Sequence, residues 1–374
     1  MANDKTFKVK NGLLAQRYLQ SAGNETAGST ASFSSGTYTG KSFNLATQAT
    51  TAARMFVKTD GTKVYIASST SAKTIYEYSL STAWDLSTMV YASKSYTMAE
   101  VNSTVGLSFS SDGTAMYGAS NTNYIYQYTL STAWDVSTAS YSSKFKSGFN
   151  ATLYGISFNS GGTKLYALAT GSNIVYQWTL STAWDISTAT ADGVSIDLTS
   201  QDSSILGISY INGCLYAAGN TNDAVYKYTL SSPDNISTAT LSESFSFSAE
   251  TSIAREVYAK SDDTVVFMLG ASSLLYEYST VSYTQTLDLS TGTYFSFTPS
   301  GVTTVSFTNP PASGLAIGFA VEINGDGSVI TWPASVKWHE ATAPTATATK
   351  EIYTFITTDG GTTYYGRKAG EDMQ

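Results

Sequence analysis

The chain of 374 residues contains one cysteine, one histidine and six prolines, and only 13% of its residues are charged. Cys214 alone can form neither an internal disulfide nor a thiolate zinc site, and we expect it to be a small buried thiol. His339 alone excludes a metal site built from several histidines and leaves little room for a Ser-His-Asp triad. The sequence therefore predicts no metal and no cofactor.

Two further absences concern membranes and nucleic acids. No apolar run approaches the roughly 18 to 20 residues needed to span a bilayer, and residues 1–16 lack the continuous apolar segment of a signal peptide. Lys and Arg total 20 against 28 Asp and Glu, which gives a formal net charge of −8. An acidic chain of this kind is poorly suited to nucleic acid or an anionic membrane. We expect neither nucleic-acid binding nor membrane insertion.

A repeat with a period of 50 residues occupies the middle of the chain. Segment 80–88 reads LSTAWDLST, and it recurs at 130–138, at 180–188 and, in degenerate form, at 230–238. Such a period is typical of solenoids, propellers and repeat arrays.

The content of one repeat selects among these architectures. The second repeat predicts short strands at 104–109, 115–120, 124–130 and 140–145, with no helical periodicity between them. Four antiparallel strands in about 50 residues are typical of a β-propeller blade. The pattern therefore predicts an all-β fold built on a propeller.

The number of blades follows from two series of residues. The hairpin turns and the aromatic pairs of the third strands each occur five times, which predicts a five-bladed propeller over residues 36–283. The fifth copy lacks its own fourth strand, and residues 37–46 resemble that missing strand. We expect this N-terminal strand to complete the last blade and close the ring, which removes open sheet edges.

The segments on either side of the ring have different patterns. Residues 1–35 predict a hairpin at Asn11-Gly12 followed by a linker rich in Gly, Ser and Thr. So small a hairpin is marginally stable alone, so we expect it to dock on a partner. Residues 284–374 lose the period and predict a compact C-terminal β-sandwich.

Three stretches of the sequence resemble bacteriophage structural proteins. Residues 309–314 (NPPASG), 330–338 (ITWPASVKW) and 357–364 (TTDGGTTY) resemble the terminal β-domain of tail-fibre and virion appendage proteins. The LSTAWDIST repeats resemble arrays in structural proteins of marine and cyanobacterial phages, and residues 7–13 (FKVKNGL) are similar to the start of such fibres.

The resemblance implies a virion component, in the tail or another external appendage, that touches the host and has no agreed catalytic residue. It implies a homotrimer as the expected assembly. The N-terminal hairpin would then attach the chain to other virion proteins, through the apolar residues Phe7, Val9, Leu13 and Leu14.

The predicted innermost strands contain few of the acidic residues that a propeller enzyme would need. Propeller glycoside hydrolases need two or three carboxylates converging on the central channel, and Glu256 is the only acidic residue in these predicted strands. Three blades have a glycine at one shared position, Gly106, Gly155 and Gly207, and Arg54 and Arg255 are predicted to occupy it in the first and fifth blades. The lack of paired acids argues against glycosidase chemistry.

Two sets of residues are candidates for ligand binding. The loops that lead into the innermost strands are expected to ring one mouth of the channel with the polar side chains Gln48, Glu100, Asn150, Asp202 and Glu250. With Arg54 and Arg255 they could hold a sugar or a cation, or they could simply be solvated. In the terminal domain, the candidates for an aromatic carbohydrate platform are Trp332, Trp338, Tyr364 and Tyr365. Trp338 and His339 lie in a predicted loop as the better exposed candidates for contact with a sugar, whereas Trp332 is predicted to be core.

The leading hypothesis is a tail fibre or fibre-like appendage that binds a host-surface glycan or protein during adsorption, with several copies adding their weak contacts. The alternative is a virion scaffold without receptor binding, such as a head decoration, a baseplate or a tail connector. A glycan-degrading enzyme is the third hypothesis. Exposed apolar residues that repeat on every blade would favour the scaffold, and side chains unique to one site would favour the receptor-binding protein.

Overall fold

The computed structural model describes residues 26–27, 32–69, 73–149, 152–169, 171–299, 301–325, 327–339 and 341–373. The chain divides into two compact units, one of residues 31–280 and one of residues 281–374 together with 1–30. The predicted attachment residues Phe7, Val9, Leu13 and Leu14, and also Asn150, lie outside the described residues. Within the described ranges, no helix is long and apolar enough to cross a membrane.

The larger unit is a five-bladed β-propeller, as predicted, and each blade is a four-stranded antiparallel sheet. From the innermost strand outward, the first four blades are formed by Ala52–Val57, Lys63–Ser68, Thr74–Leu80 and Met89–Thr97; by Thr104–Phe109, Ala115–Ser120, Tyr124–Leu130 and Ala139–Lys146; by Leu153–Phe158, Lys164–Ala169, Ile174–Leu180 and Ala189–Asp197; and by Ile205–Ile211, Cys214–Gly219, Ala224–Leu230 and Ala239–Ser246.

The fifth blade closes the ring with a strand from the start of the unit. Its inner three strands are Ala254–Ala259, Val265–Gly270 and Leu274–Ser279, and its outermost strand is Thr37–Asn44. The innermost strands contact one another in cyclic order, the fifth against the first. The predicted closure by an N-terminal strand is therefore confirmed.

A β-bulge interrupts each innermost strand at the same place. Arg54 pairs with Ala67 after the bulge of blade 1, and Glu256 pairs with Leu269 after the bulge of blade 5. The equivalent residues in the other three blades are Gly106, Gly155 and Gly207. The bulge residues themselves are Ala53, Val105, Tyr154, Leu206 and Arg255.

The prediction that Arg255 shares the glycine position was wrong by one residue, because Glu256 occupies it. The equivalent positions Arg54, Gly106, Gly155, Gly207 and Glu256 are separated by 52, 49, 52 and 49 residues. Counting by a constant period therefore cannot fix the register, because the spacing between equivalent positions varies by three residues from blade to blade.

The repeated AWD segments join neighbouring blades. Each is followed by a short 3-10 helix: Leu86–Thr88, Val136–Thr138, Ile186–Thr188 and Ile236–Thr238. The hydroxyl of Tyr65 in blade 1 donates to the carbonyl oxygen of Trp134 in blade 2 at 2.7 Å. The backbone N–H of Val136 donates to the buried carboxylate of Glu77 at 3.1 Å. The same contacts recur between blades 2 and 3, from Tyr117 to Trp184 and from Ile186 to Gln127.

The second unit contains two sheets that share one hydrophobic cluster. The rings of Phe307 and Phe319, one from each sheet, lie 5.0 Å apart. The first sheet, in spatial order, is Thr26–Ala27, Tyr283–Asp288, Thr303–Thr308 and Ile330–Thr331. The second is Tyr294–Phe297, Ile317–Asn324, Lys350–Thr357, Tyr364–Gly370 and Val336–Trp338.

Candidate functional site

Trp338 and His339 border two open depressions in the described part of the second unit. Val336–Trp338 is the edge strand of its sheet and pairs in parallel with Tyr364–Gly370. Two adjoining depressions of about 400 and 490 Å³ lie there, and both are lined by Trp338, His339 and Arg367. We call this surface the Trp338 groove. Such volumes fall within the usual range of small-molecule sites.

The walls of the groove combine aromatic, cationic and polar groups. Trp338 is half-buried and packs against Trp332 at 5.5 Å between ring centroids, so its ring is held in place from the core side. Tyr365 and Ile356, which pair across neighbouring strands, are both exposed. Lys337 lies opposite Tyr365 on the edge strand. Because paired residues share a face and successive residues alternate, Lys337, Tyr365 and Ile356 lie on one face of the sheet and Trp338 lies on the other.

The charge of the groove opposes that of the whole chain. Arg367, Lys337 and Lys368 line one or both depressions, and no acidic side chain is among the described lining residues. Lys368 is engaged by ion pairs with Glu351 and Glu371. Arg367 makes only a long hydrogen bond of 3.4 Å to the Thr354 hydroxyl. Arg367 and Lys337 are therefore placed to contact an anionic group.

The aromatic residues predicted in this unit differ in burial and in the element that holds them. Trp332 is core, as predicted, and Tyr364 is buried beside it in the same cluster. The sequence pattern placed Trp338 and His339 in a loop, whereas Trp338 ends an edge strand and His339 follows it. Tyr365, a candidate from the sequence, is exposed and lines the larger depression. Arg367 was missed, since the strand Tyr364–Gly370 that positions it was not predicted.

In the propeller, Arg54 fills the channel at the level of the bulges. Its side chain is 2% exposed. The guanidinium donates to the carbonyl oxygens of three bulge residues, those of Val105 at 2.6 Å, Ala53 at 2.7 Å and Arg255 at 3.0 Å. It also lies over the ring of Tyr154, 4.7 Å from the centroid. Arg54 thus contacts blades 1, 2, 3 and 5, and these three hydrogen bonds are all made to the ring itself.

Glu256 lies beside this arginine and is also buried. Burial raises the pKa of Glu256 to about 8, and the positive charge of Arg54 acts in the opposite direction. Its Oε1 atom has no hydrogen-bond partner among the described residues. A Cβ atom on Gly207 would come within 2.6 Å of this oxygen, so the glycine leaves the space that the carboxyl group occupies. Arg255 is half-exposed, and its buried Nε atom likewise has no described partner.

The predicted mouth residues bind tyrosines of the third strands. The hydroxyl of Tyr128 donates to Glu100 at 2.9 Å and that of Tyr278 donates to Glu250 at 3.0 Å. Gln48 accepts a longer bond of 3.5 Å from Tyr78. In blade 4 the tyrosine bonds Gln201 rather than Asp202. The repeat predicted that these side chains occupy equivalent positions. It did not predict that Gln48, Glu100 and Glu250 accept hydrogen bonds from tyrosine hydroxyls.

Asp202 differs from the other mouth residues because it is buried. Its carboxylate accepts the backbone N–H groups of Ser204 at 2.8 Å, Thr221 at 3.1 Å and Asn222 at 2.9 Å. It therefore fixes the loops at this end of blade 4. Cys214, expected to be buried, is half-buried at the start of its strand, and burial raises the pKa of its thiol. Among the described residues, no three His, Cys, Asp or Glu side chains are grouped closely enough to hold a metal ion.

Comparisons with known proteins assign the chain to no family. No protein-family model matches the chain, and no curated protein matches it. One similar structure is the β-propeller domain of Cps50 (Swd1) from Myceliophteria thermophila, with 9% identity and a TM-score of 0.39, covering 65% of this chain and 99% of that one.

Two other similar structures come from bacteria. A functionally unknown protein from Desulfotomaculum acetoxidans has 12% identity and a TM-score of 0.38, covering 59% of this chain and 62% of that one. A putative 6-phosphogluconolactonase from Bacteroides uniformis has 13% identity and a TM-score of 0.39, covering 59% of this chain and 63% of that one. The chain thus spans less than two thirds of both proteins, and identities this low concern the fold alone.

Proposed function

We propose that this protein is a bacteriophage virion protein, a tail fibre or fibre-like appendage, that binds host-surface glycans through the Trp338 groove. The observation that supports the proposal most is the groove itself, in which Trp338 and Arg367 line both depressions, of about 400 and 490 Å³, and Tyr365 lines the larger. An aromatic face with hydrogen-bond donors at its edge suits a sugar ring, which has apolar faces and polar edges.

The charge of the groove favours an anionic sugar. Arg367 and Lys337 supply cationic donors, and the described lining contains no carboxylate to oppose them. One shallow site of this kind binds weakly. Several copies of the chain on one virion would raise the overall affinity by avidity.

The exposed apolar residues of the propeller also favour receptor binding over a pure scaffold. Val90, Phe145 and Leu241 are the exposed large apolar side chains described in this unit. They occupy three different positions of their outermost strands, opposite Ser79, Tyr126 and Tyr228. No apolar surface therefore repeats from blade to blade in the described part of the ring, as a symmetric docking platform would require.

The proposal is tested by binding of the purified, fluorescently labelled full chain to candidate host cells while phage adsorption is measured in its presence. We expect saturable binding that blocks adsorption, and loss of both effects in a Trp338→Ala variant. A Leu315→Ala variant is the matched control, since Leu315 is 60% exposed in the same unit and does not line the groove. Absence of binding by a correctly folded chain would instead favour the scaffold.

A further inference from the structure

Blade 3 has an alanine on its outermost strand where blades 1, 2 and 5 have a tyrosine and blade 4 has Leu241. In blades 1, 2 and 5 a tyrosine of the outermost strand pairs with a tyrosine of the third strand, with ring centroids 5.6 to 5.9 Å apart, as Tyr91 with Tyr78, Tyr141 with Tyr128, and Tyr38 with Tyr278. In blade 3 the corresponding pair is Ala191 with Trp178. The space that a phenol ring fills elsewhere is open here.

A cavity of about 130 Å³ lies at this position. Its aromatic walls are Trp178, Tyr176 and Phe149, and Phe149 packs edge-on against Trp178 at 4.6 Å. Ala191 and Ser195 are exposed and border it on the outermost strand. An apolar cavity of about 150 Å³ is large enough to bind benzene, so this one has the size of a single aromatic ring.

We propose that the blade 3 cavity binds a ligand that carries a phenol-sized aromatic ring. The ring would take the place that Tyr91 and Tyr141 take in blades 1 and 2, between the two aromatic side chains of the third strand. Edge-to-face and tilted contacts of this kind stabilise aromatic pairs beyond the area that they bury. This site is independent of the Trp338 groove and of the glycan proposal.

The lining favours an aromatic ring over a sugar. Leu153, Ala167 and Phe149 form buried apolar walls. The amide group of Gln177 is already engaged, since its Oε1 accepts the N–H of Ile236 at 2.8 Å and its Nε2 donates to Asp192 at 2.7 Å. Hydroxyl groups placed against these walls would lose water without gaining partners.

The opening of the cavity can accept a polar substituent. Ser195 is exposed at the rim, and Lys146 lies near the indole of Trp178, with its Nζ atom 5.9 Å from the ring centroid. We therefore expect the ring to enter with its polar end toward these two groups. Such a ring could belong to a free small molecule or to an aromatic side chain of another polypeptide.

The test measures binding of phenol and of N-acetyl-tyrosinamide to the full chain by ligand-observed NMR, with a crystal soak to locate the ring. We expect one site in blade 3, and Ala191→Tyr should weaken binding at least tenfold because it restores the side chain present in blades 1, 2 and 5. Tighter binding of N-acetyl-tyrosinamide than of phenol would indicate a polypeptide as the source, and equal binding a small molecule.

A second variant supplies the converse test. Tyr141→Ala should create the same cavity in blade 2 and add a second binding site, since Tyr126 and Tyr128 would lose the ring that packs on them. Thermal melting would confirm that both variants are folded. Absence of the ring from blade 3 in the soaked crystal, or binding unaffected by Ala191→Tyr, would overturn the proposal.

Discussion

Polar side chains have different roles in the two units of this protein. In the propeller, Arg54 donates to three backbone carbonyls, and Glu100 and Glu250 accept from tyrosine hydroxyls. In the second unit, Arg367 and Lys337 lie at an edge strand beside an open depression. Groups whose hydrogen bonds are satisfied internally contribute to a rigid ring, whereas groups left at an open surface remain able to bind. A charged residue in a propeller channel is therefore not by itself a sign of a ligand site.

The largest expected effect comes from removing the channel arginine. Arg54→Met should destabilise the chain by about 3 kcal/mol or more, because three carbonyl oxygens lose a buried, charged donor. The measurement is chemical unfolding with urea. Glycan binding at 10 °C, where the variant should still be folded, is expected to be unchanged. A stable Arg54→Met variant that has lost binding would instead make the channel a ligand site.

The buried acid beside it gives a pH dependence. The pKa of Glu256 is raised from 4.5 to about 8, so the folded chain retains a proton that the unfolded chain releases between these pH values. Stability is therefore lost as the pH rises from about 4.5 to 8, and it is constant above that range.

Glu256→Gln removes this titration. When the pH rises from 4.5 to 8.5, the unfolding free energy of the natural chain should fall by on the order of 2 to 4 kcal/mol more than that of the variant. The measurement is the unfolding free energy of both proteins at the two pH values. Arg54 and Arg255 are the charged groups next to this carboxyl in sequence or space. Parallel stability curves for the two proteins would contradict a raised pKa.

A pair of glycines offers a matched comparison within the ring. A Cβ atom on Gly207 would meet the backbone oxygen of Arg255 and, at 2.6 Å, the Oε1 atom of Glu256, whereas a Cβ on Gly155 would find its nearest neighbour, in Ile208, at 3.5 Å. We expect Gly207→Ala to cost about 1 to 3 kcal/mol and Gly155→Ala to be nearly neutral. Equal thermal shifts in the two variants would show that Glu256 does not need this space.

The smallest effect concerns the charge of the Trp338 groove. Lys337→Gln should weaken binding of an anionic sugar severalfold at low salt and less at high salt, because salt screens exposed charges. Lys350→Gln is the control, since Lys350 pairs with Glu322 and does not line the groove. Binding measured at two ionic strengths distinguishes the two variants. Salt-independent binding would indicate that the groove recognises a neutral sugar.

The sequence predicted the fold of the ring well because each blade repeats the same turn and the same aromatic pair. The five copies of the turn and of the aromatic pair counted five blades, and the missing fourth strand of the last copy led to the closing strand Thr37–Asn44. The prediction failed at Arg255, because the equivalent positions of successive blades are separated by 49 or 52 residues rather than by a constant period.

The candidate site could be predicted only in part. Trp338 and His339 were found because the sequence pattern placed them in a loop, where an aromatic ring can be exposed. Arg367 was not found, since it comes from a strand that was not predicted and that meets Val336–Trp338 across a parallel pair. A parallel pairing is made over a long sequence separation, and no local turn indicates it.

The most direct test of the different roles of the two units is titration calorimetry of the full chain with an anionic cell-surface oligosaccharide. Three proteins are compared: the natural chain, Trp338→Ala, and Glu100→Gln, whose amide can still accept from the Tyr128 hydroxyl. We predict that Trp338→Ala weakens binding at least tenfold, as expected of an aromatic residue central to a binding site, and that Glu100→Gln leaves it unchanged. Loss of binding in Glu100→Gln with full binding in Trp338→Ala would place recognition at the propeller mouth and contradict the account.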